Sequence, residues 1–202
     1  LMVYETPRDI MIIDCGLMFP GEEMLGIDFV IPDTTYLLDN RRKIRGMVLT
    51  HGHEDHIGAV PYIWPKFSCP IYATPLTAAL LETKFKEFSI QGAKINVFQP
   101  NDRFRLGSFQ IESFPLSHTI PDEVGLAIRT PVGEFLHITD FRLESHNGED
   151  KELFAKLESY AAKGVTALLL DSTNVELPGQ SLSERTVSLT IEEIFQKSLG
   201  RI

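Results

Sequence analysis

A dense cluster of metal-type side chains lies between residues 51 and 56. The segment reads His51-Gly-His53-Glu-Asp55-His56 and holds three of the chain's six histidines. Side chains two apart on an extended backbone share a face, so His51 and His53 can bind one ion, and neutral imidazoles suit a borderline-soft divalent cation. Asp55 and His56 can serve a second ion. The alternative is a solvated loop or a helix start capped by Asp55, but neither needs four such side chains.

Apolar runs on both sides of the cluster predict the strands that position it. Residues 9–13 and 45–50 each end in a polar, Gly-containing turn, and the second run leads directly into His51. A hairpin turn is predicted at 131–133. The run 165–170 is apolar throughout, which predicts a strand buried on both faces. Further strands, in a largely antiparallel stretch, are predicted at 95–98, 109–114, 124–129 and 134–139.

Three helices are predicted between and after these strands. Thr74-Pro75 is typical of an N-cap followed by proline at the first helical position, and apolar residues recur at helical spacing through Phe88. A second helix spans 149–162 and is closed by Gly164, and a third spans 183–198. Alternation of strands and helices predicts a layered α/β fold in which helices cover the sheets.

Composition excludes several classes of protein. The chain has 202 residues, 43% of them hydrophobic, which suffices for one sizeable core. A net charge of -9 argues against a basic surface, and Arg41-Arg42-Lys43 is interpreted as a solvated loop rather than an RNA contact. Cys15 and Cys69 have no zinc or disulfide spacing and are expected to be reduced thiols. With no apolar span or signal peptide, a soluble cytoplasmic protein without membrane contact is expected.

Four motifs in order resemble those of the metallo-β-lactamase superfamily. The segment 51–56 has its His-x-His-x-Asp-His pattern, Asp14 in Ile-Asp-Cys-Gly resembles the first motif, His118 the third, and Asp140 the fourth. The resemblance covers nearly the whole chain. It implies an incomplete αββα sandwich with mixed, mostly antiparallel sheets covered by helices.

A narrower resemblance is to ribonuclease J, of the β-CASP group. It is carried by residues 16–20, 51–58, 117–122, 170–174, 178–179 and 183–185. In that family a second domain is inserted after the strand that here ends at Asp171. The resemblance implies an N-terminal fragment: residues 1–175 form part of the metallo-β-lactamase-like domain, and 176–202 begin a truncated β-CASP-like domain. Turn residues at 178–181 mark the expected boundary.

The resemblance also implies a role for each site residue. One zinc ion would be held by His51, His53 and His118, a second by Asp55 and His56, and Asp140 would bridge the two. Asp14 would hold a ligand in place by hydrogen bonding. Asp55, Asp140 and Asp171 are the expected catalytic carboxylates, with Asp171 paired to a histidine from beyond the insertion. A carboxylate that only caps the end of its strand is the alternative for Asp171.

The expected function is hydrolysis of RNA. Two divalent ions, zinc by resemblance, would activate a hydroxide and neutralise the phosphate under attack. The resemblance implies endonucleolytic and 5′-to-3′ exonucleolytic action, with RNA as the partner and any homo-oligomer formed through parts outside this chain. One alternative is a hydrolase of thioesters, lactones or β-lactams, which lacks the ribonuclease J-like sequence after Asp171. Another is a non-catalytic fragment of the nuclease.

The chain departs from the family pattern near the fourth motif. Thr139 stands where the family usually has glycine and is expected to crowd the metal loop. Arg142-Leu143-Glu144 replaces a Lys-Phe-Asp-like run. His137 and His146 match no ligand position, and they are interpreted as a strand residue and a solvated loop residue.

Overall fold

The computed structural model describes residues 1–142, 149–179 and 182–200. Leu143, Glu144, His146 and the last two residues of the predicted boundary at 178–181 therefore lie outside the described residues. Its strands are β1 (Met2–Glu5), β2 (Ile10–Ile13), β3 (Ile44–Val48), β4 (Ile71–Ala73), β5 (Ile95–Val97), β6 (Arg103–Leu106), β7 (Phe109–Pro115), β8 (Val124–Thr130), β9 (Gly133–Ile138) and β10 (Ala167–Leu170). Its α-helices are α1 (Thr35–Asp39), α2 (Glu54–Ile57), α3 (Val60–Ile63), α4 (Pro75–Glu87), α5 (Glu149–Ala161) and α6 (Glu184–Lys197).

The strands form two mixed five-stranded sheets. The first has the order β1-β2-β3-β4-β5 and the second β10-β9-β8-β7-β6. The second sheet is antiparallel except for the β9–β10 pair, as expected. The first is parallel from β2 to β5, against the expectation of mostly antiparallel sheets. Its strands are joined by segments that contain helices, and such crossovers return the chain in the same direction.

Three apolar clusters separate four layers. Met11, Val48 and Val124 belong to the cluster between the two sheets. Alternate residues of the same strands, such as Ile12, point to the other face of the first sheet, where helices α2 to α4 pack. The outer face of the second sheet packs against α5 through Tyr160. The order helix, sheet, sheet, helix is the expected αββα sandwich.

The strand at 167–170 differs from its prediction. It was expected to be buried on both faces, but Leu168 is 54% exposed and Leu170 is 48% exposed. β10 is the edge strand of its sheet, and within the described residues it pairs only with β9. The prediction was wrong because an apolar run does not indicate whether its strand lies in the centre of a sheet or at the edge, where side chains remain exposed.

The predicted helices are confirmed with small shifts of their ends. Thr74 precedes α4 without a side-chain capping bond, and the carboxylate of Asp122 instead accepts a hydrogen bond from the backbone N–H of Leu76 at 2.8 Å. Ser183 does cap α6, accepting from the N–H of Thr186 at 3.1 Å. In the part of the chain that is described, no helix is long and apolar enough to cross a membrane.

Candidate metal centre

Loops from both sheets meet at one edge of the sandwich. β2 and β3 are parallel, so the residues that follow them, Asp14 and His51, emerge side by side. In the second sheet β7 and β9 both run antiparallel to β8, so the loops carrying His118 and Asp140 leave from the edge where β8 begins. The N–H of Val124 donates to the carbonyl of Thr50 at 3.2 Å and ties the two edges together.

The loop after β2 lies directly against the loop after β3. Asp14 has a φ of +55°, a left-handed conformation that aspartate tolerates, and it turns the chain toward α2. The N–H of Cys15 donates to the carbonyl of His56 at 2.7 Å. A Cβ on Gly16 would lie 1.5 Å from the carbonyl oxygen of Asp55, so only glycine permits this approach.

The first ligand group consists of His51, His53, His118 and Asp140. Nε2 of His51 lies 3.1 Å from Nδ1 of His53, and Nε2 of His118 lies 3.3 Å from Oδ2 of Asp140. The same Oδ2 is 3.8 Å from Nε2 of His51. His51 is fully buried at the end of β3, which fixes its ring in the core.

The second ligand group consists of Asp55, His56 and Asp140. One turn of α2 carries the first two, and Nε2 of His56 lies 3.6 Å from Oδ1 of Asp140 and 3.8 Å from Oδ2 of Asp55. Behind it, Nδ1 of His56 bonds to Oδ2 of Asp14 at 2.8 Å. Asp14 also accepts from the N–H and the hydroxyl of Thr50, both at 2.8 Å. The carboxylate of Asp140 thus belongs to both ligand groups.

Burial and charge set the two groups apart electrostatically. Burial, with the neighbouring His56, lowers the pKa of His51 to about 3, so this imidazole is neutral at neutral pH. Burial is the largest single influence on His56 and lowers its pKa, but the hydrogen bond to Asp14 and the negative charges of Asp14, Asp140 and Asp55 together raise the pKa to about 8. Asp14 is itself buried, which favours the neutral acid, yet its bonds to His56 and Thr50 hold its pKa below the usual value.

The arrangement fits divalent cations. Four ligands at ~2.0–2.1 Å from a tetrahedral ion lie about 3.3 Å from one another. The 3.1 Å and 3.3 Å separations in the first ligand group match this spacing. Its third separation, 3.8 Å, and those of the second group, 3.6 and 3.8 Å, are wider by a few tenths of an ångström. All ligand atoms within each group lie within 4.8 Å of one another. Imidazole nitrogens with carboxylate oxygens are ligands that zinc accepts.

Two other predicted residues lie outside both ligand groups. Asp171 follows β10 at the edge that also carries Asp140, and its Oδ1 accepts bonds from the N–H and hydroxyl of Thr173 at 2.9 and 2.8 Å. These bonds correspond to the alternative given for Asp171, a carboxylate that caps the end of its strand. His137 is a buried residue of β9, as predicted, and its Nδ1 lies 3.2 Å from the hydroxyl of Tyr4 between the sheets.

Glu123, a buried carboxyl group next to the first ligand group, was not predicted from the sequence. It is 1% exposed, its Oε1 lies 3.4 Å from Nδ1 of His51, and burial raises its pKa to about 8. The hydroxyl of Thr139 donates to the same oxygen at 3.1 Å, so the side chain expected to crowd the loop makes a hydrogen bond there. Its position directly before the apolar strand β8, where an ionisable residue is unusual, was the feature of the sequence that could have indicated it.

Comparison with known proteins identifies the family. A model described as "Beta-lactamase superfamily domain" matches residues 11–181. The chain is 42% identical to Ribonuclease J of Synechocystis sp. over 99% of the chain and 32% of that protein, and 37% identical to Ribonuclease J of Thermus thermophilus over 100% of the chain and 37% of that protein. It thus spans about a third of these curated relatives' length.

A solved structure supports the same fold. The MIM-2 Metallo-Beta-Lactamase superposes with a TM-score of 0.53 at 16% sequence identity, over 83% of this chain and 67% of that chain. At this identity the likeness concerns the arrangement of sheets and helices alone. With the family match over residues 11–181 and the shared sandwich, this chain belongs to the beta-lactamase superfamily.

Proposed function

We propose that the chain is the metal-binding domain of a metal-dependent hydrolase that cleaves RNA. The observation that carries this proposal is the pair of ligand groups that meet on Asp140, in a chain similar over its full length to proteins named Ribonuclease J. Because the chain spans about a third of those relatives, the activity is that of a longer protein. RNA is accordingly the proposed substrate, and the cytoplasm the proposed location.

Each ligand has a defined task in this proposal. His51, His53 and His118 would hold one zinc ion, Asp55 and His56 the other, and Asp140 both. Two bound cations would supply a water of lowered pKa and neutralise charge on a phosphodiester. The residues of the chain orient that chemistry by holding the ligand side chains in place.

Asp14 is the proposed positioning residue of the second ligand group. Its bond to Nδ1 of His56 leaves Nε2 facing Asp140 and Asp55. A carboxylate behind a ligating imidazole fixes the ring and makes its other nitrogen a stronger ligand. Asp171 is proposed to act only in the longer protein, since its carboxylate contacts neither ligand group.

Residues 176–202 are proposed to begin a second domain. Four of the exposed apolar residues of α6 recur at helical spacing on one face: Val187, Ile191, Ile194 and Phe195. The family match stops at residue 181, before this helix begins. An apolar helical stripe of this kind is normally covered by another element.

The experiment is a zinc titration of the metal-free chain. About two ions per folded chain are expected. His53→Ala is expected to lose the ion of the first ligand group and to keep about one, and His146→Gln, a histidine given no ligand role, is expected to bind as many ions as the unaltered chain. Cleavage of a 5′-phosphorylated single-stranded RNA is then measured with the longest natural protein that carries this chain. A folded chain that binds no zinc contradicts the metal centre, and turnover of a β-lactam without RNA cleavage contradicts the substrate.

A further inference from the structure

Glu123 is a buried carboxyl group that faces a ligand of the first group from behind. Its Oε1 accepts a hydrogen bond from the hydroxyl of Thr139 at 3.1 Å and lies 3.4 Å from Nδ1 of His51. Its Oε2 is buried with no hydrogen-bond partner among the described residues. A buried carboxyl group is costly to keep, so its position beside a proposed ligand requires a reason.

The protons of the neighbouring hydroxyl groups decide what Nδ1 of His51 faces. The hydroxyl of Thr50 lies 3.2 Å from Nδ1, but its proton is donated to Asp14. The single hydroxyl proton of Thr139 goes to the nearer of its two neighbours, Glu123 at 3.1 Å rather than Thr50 at 3.3 Å. Nδ1 of His51 is thus surrounded by oxygens that accept hydrogen bonds.

This surrounding selects one form of the ring. A neutral imidazole carries its proton on one nitrogen only. Two accepting oxygens next to Nδ1 favour the proton there, which leaves the lone pair of Nε2 directed at His53 and Asp140. That is the form in which Nε2 can bind a cation.

We propose that Glu123 is a positioning residue for His51: held by Thr139, its Oε1, 3.4 Å from Nδ1, acts together with the hydroxyl oxygen of Thr50, which bonds to Nδ1 at 3.2 Å, to keep the ring proton on Nδ1 and Nε2 directed into the first ligand group. This inference rests on the proposed metal centre. It makes the two groups alike, since a buried carboxyl group then stands behind one imidazole of each: Asp14 behind His56 and Glu123 behind His51.

The test compares zinc affinity and the imidazole spectrum of Glu123 variants. Glu123→Ala is expected to weaken the first ion about 10–100-fold while two ions still bind at saturation. Glu123→Gln keeps an accepting oxygen and is expected to restore part of the affinity. Thr139→Val, which removes the hydroxyl at nearly constant shape, is expected to give a smaller loss. Asp9→Asn, a buried carboxyl at the other end of β2, is the matched control and is expected to have no effect.

Nitrogen-15 spectra of the histidine rings supply a readout that a purely structural role would not change. In the metal-free unaltered chain, the Nδ1–H of His51 is expected to be protected from exchange with solvent. In Glu123→Ala this proton is expected to exchange faster, or the ring is expected to change to the tautomer that carries its proton on Nε2. If that variant does not fold, Glu123→Gln and Thr139→Val carry the test.

Two results would overturn the proposal in distinguishable ways. A folded Glu123→Ala with unchanged zinc affinity and unchanged Nδ1–H shows that Glu123 does not position the ring. A wild-type chain that binds no zinc removes the metal centre and the positioning role with it. In that case the spectrum of the metal-free chain still shows whether the Nδ1–H of His51 is protected, and so whether Glu123 contacts His51 when no metal binds.

Discussion

The two ligand groups share Asp140 but differ in burial and in protonation. In the first, His51 is fully buried and its pKa of about 3 keeps it neutral. In the second, the side chain of Asp55 is 66% exposed, and the pKa of His56, about 8, means that it holds a proton at neutral pH when no metal is bound. A cation enters the first group without displacing a proton from His51, whereas it must displace one from His56.

This difference predicts that the two ions proposed for this segment would bind with unequal affinity. His51 lies three residues after β3 and is fully buried, so its ring is fixed before any ligand binds. Asp55 and His56 belong to a single helical turn at the surface, which depends on Gly16 and Asp14 for its position. We expect the first group to bind its ion more tightly than the second.

The largest expected effect is that of removing the shared carboxylate. Asp140→Ala takes a ligand from both groups, so nearly all bound zinc is expected to be lost from a chain that keeps its fold. Metal analysis after dialysis, with circular dichroism as the control for folding, measures this. Retention of one tightly bound ion would show that the groups are independent.

Removing a ligand from one group separates the two ions. His53→Ala is expected to abolish the tighter binding step and Asp55→Ala the weaker one, each leaving about one ion per chain. Calorimetric titration of both variants resolves the two steps. The comparison breaks down if Asp55→Ala removes the tighter ion.

Loss of the carboxylate behind His56 is expected to have a smaller effect. Asp14→Asn removes the charge that orients the ring but leaves all ligands in place, so the second ion is expected to bind about 10–100-fold more weakly. The first ion is expected to change little. Equal weakening of both ions would mean that Asp14 supports the whole edge of the sandwich rather than one imidazole.

Acidification is expected to release the second ion before the first. His56 binds a proton below a pKa of about 8, so affinity for the second ion is expected to fall about tenfold for each pH unit below that value. In the metal-free chain the protonated His56 contributes stability below its unfolded pKa of 6.5, and this contribution is lost as the pH rises through about 8. Zinc titrations and denaturant unfolding at several pH values check both statements.

The smallest expected effect is that of Asp171→Ala. Its carboxylate bonds to Thr173 within its own turn, so zinc content is expected to stay unchanged and stability to fall by about 0.5–1.5 kcal/mol. Metal analysis and urea unfolding measure the two quantities. Loss of an ion in this variant would place Asp171 in the centre after all.

Local pattern explains what could be predicted from the sequence. The segment 51–56 was visible because its side chains are contiguous and chemically alike. Asp14, His118 and Asp140 are far apart in the chain, and only their order within a family pattern connects them. Their meeting at one edge depends on strand directions, which apolar periodicity does not report.

The remaining features depend on tertiary context. Glu123 escaped notice because its burial arises when the two sheets close over it. The exposure of Leu168 and Leu170 depends on the edge position of β10, and the parallel order of the first sheet on helical crossovers. In each case the missing quantity was a contact between residues distant in the sequence.

The central claim is that two ions bind on either side of Asp140. Anomalous X-ray diffraction at the zinc edge, on crystals of the chain soaked with zinc, tests it directly. The account predicts two peaks, about 3.5–4 Å apart, one next to His51 and His53 and the other next to Asp55 and His56. A single peak, or peaks remote from Asp140, would contradict it.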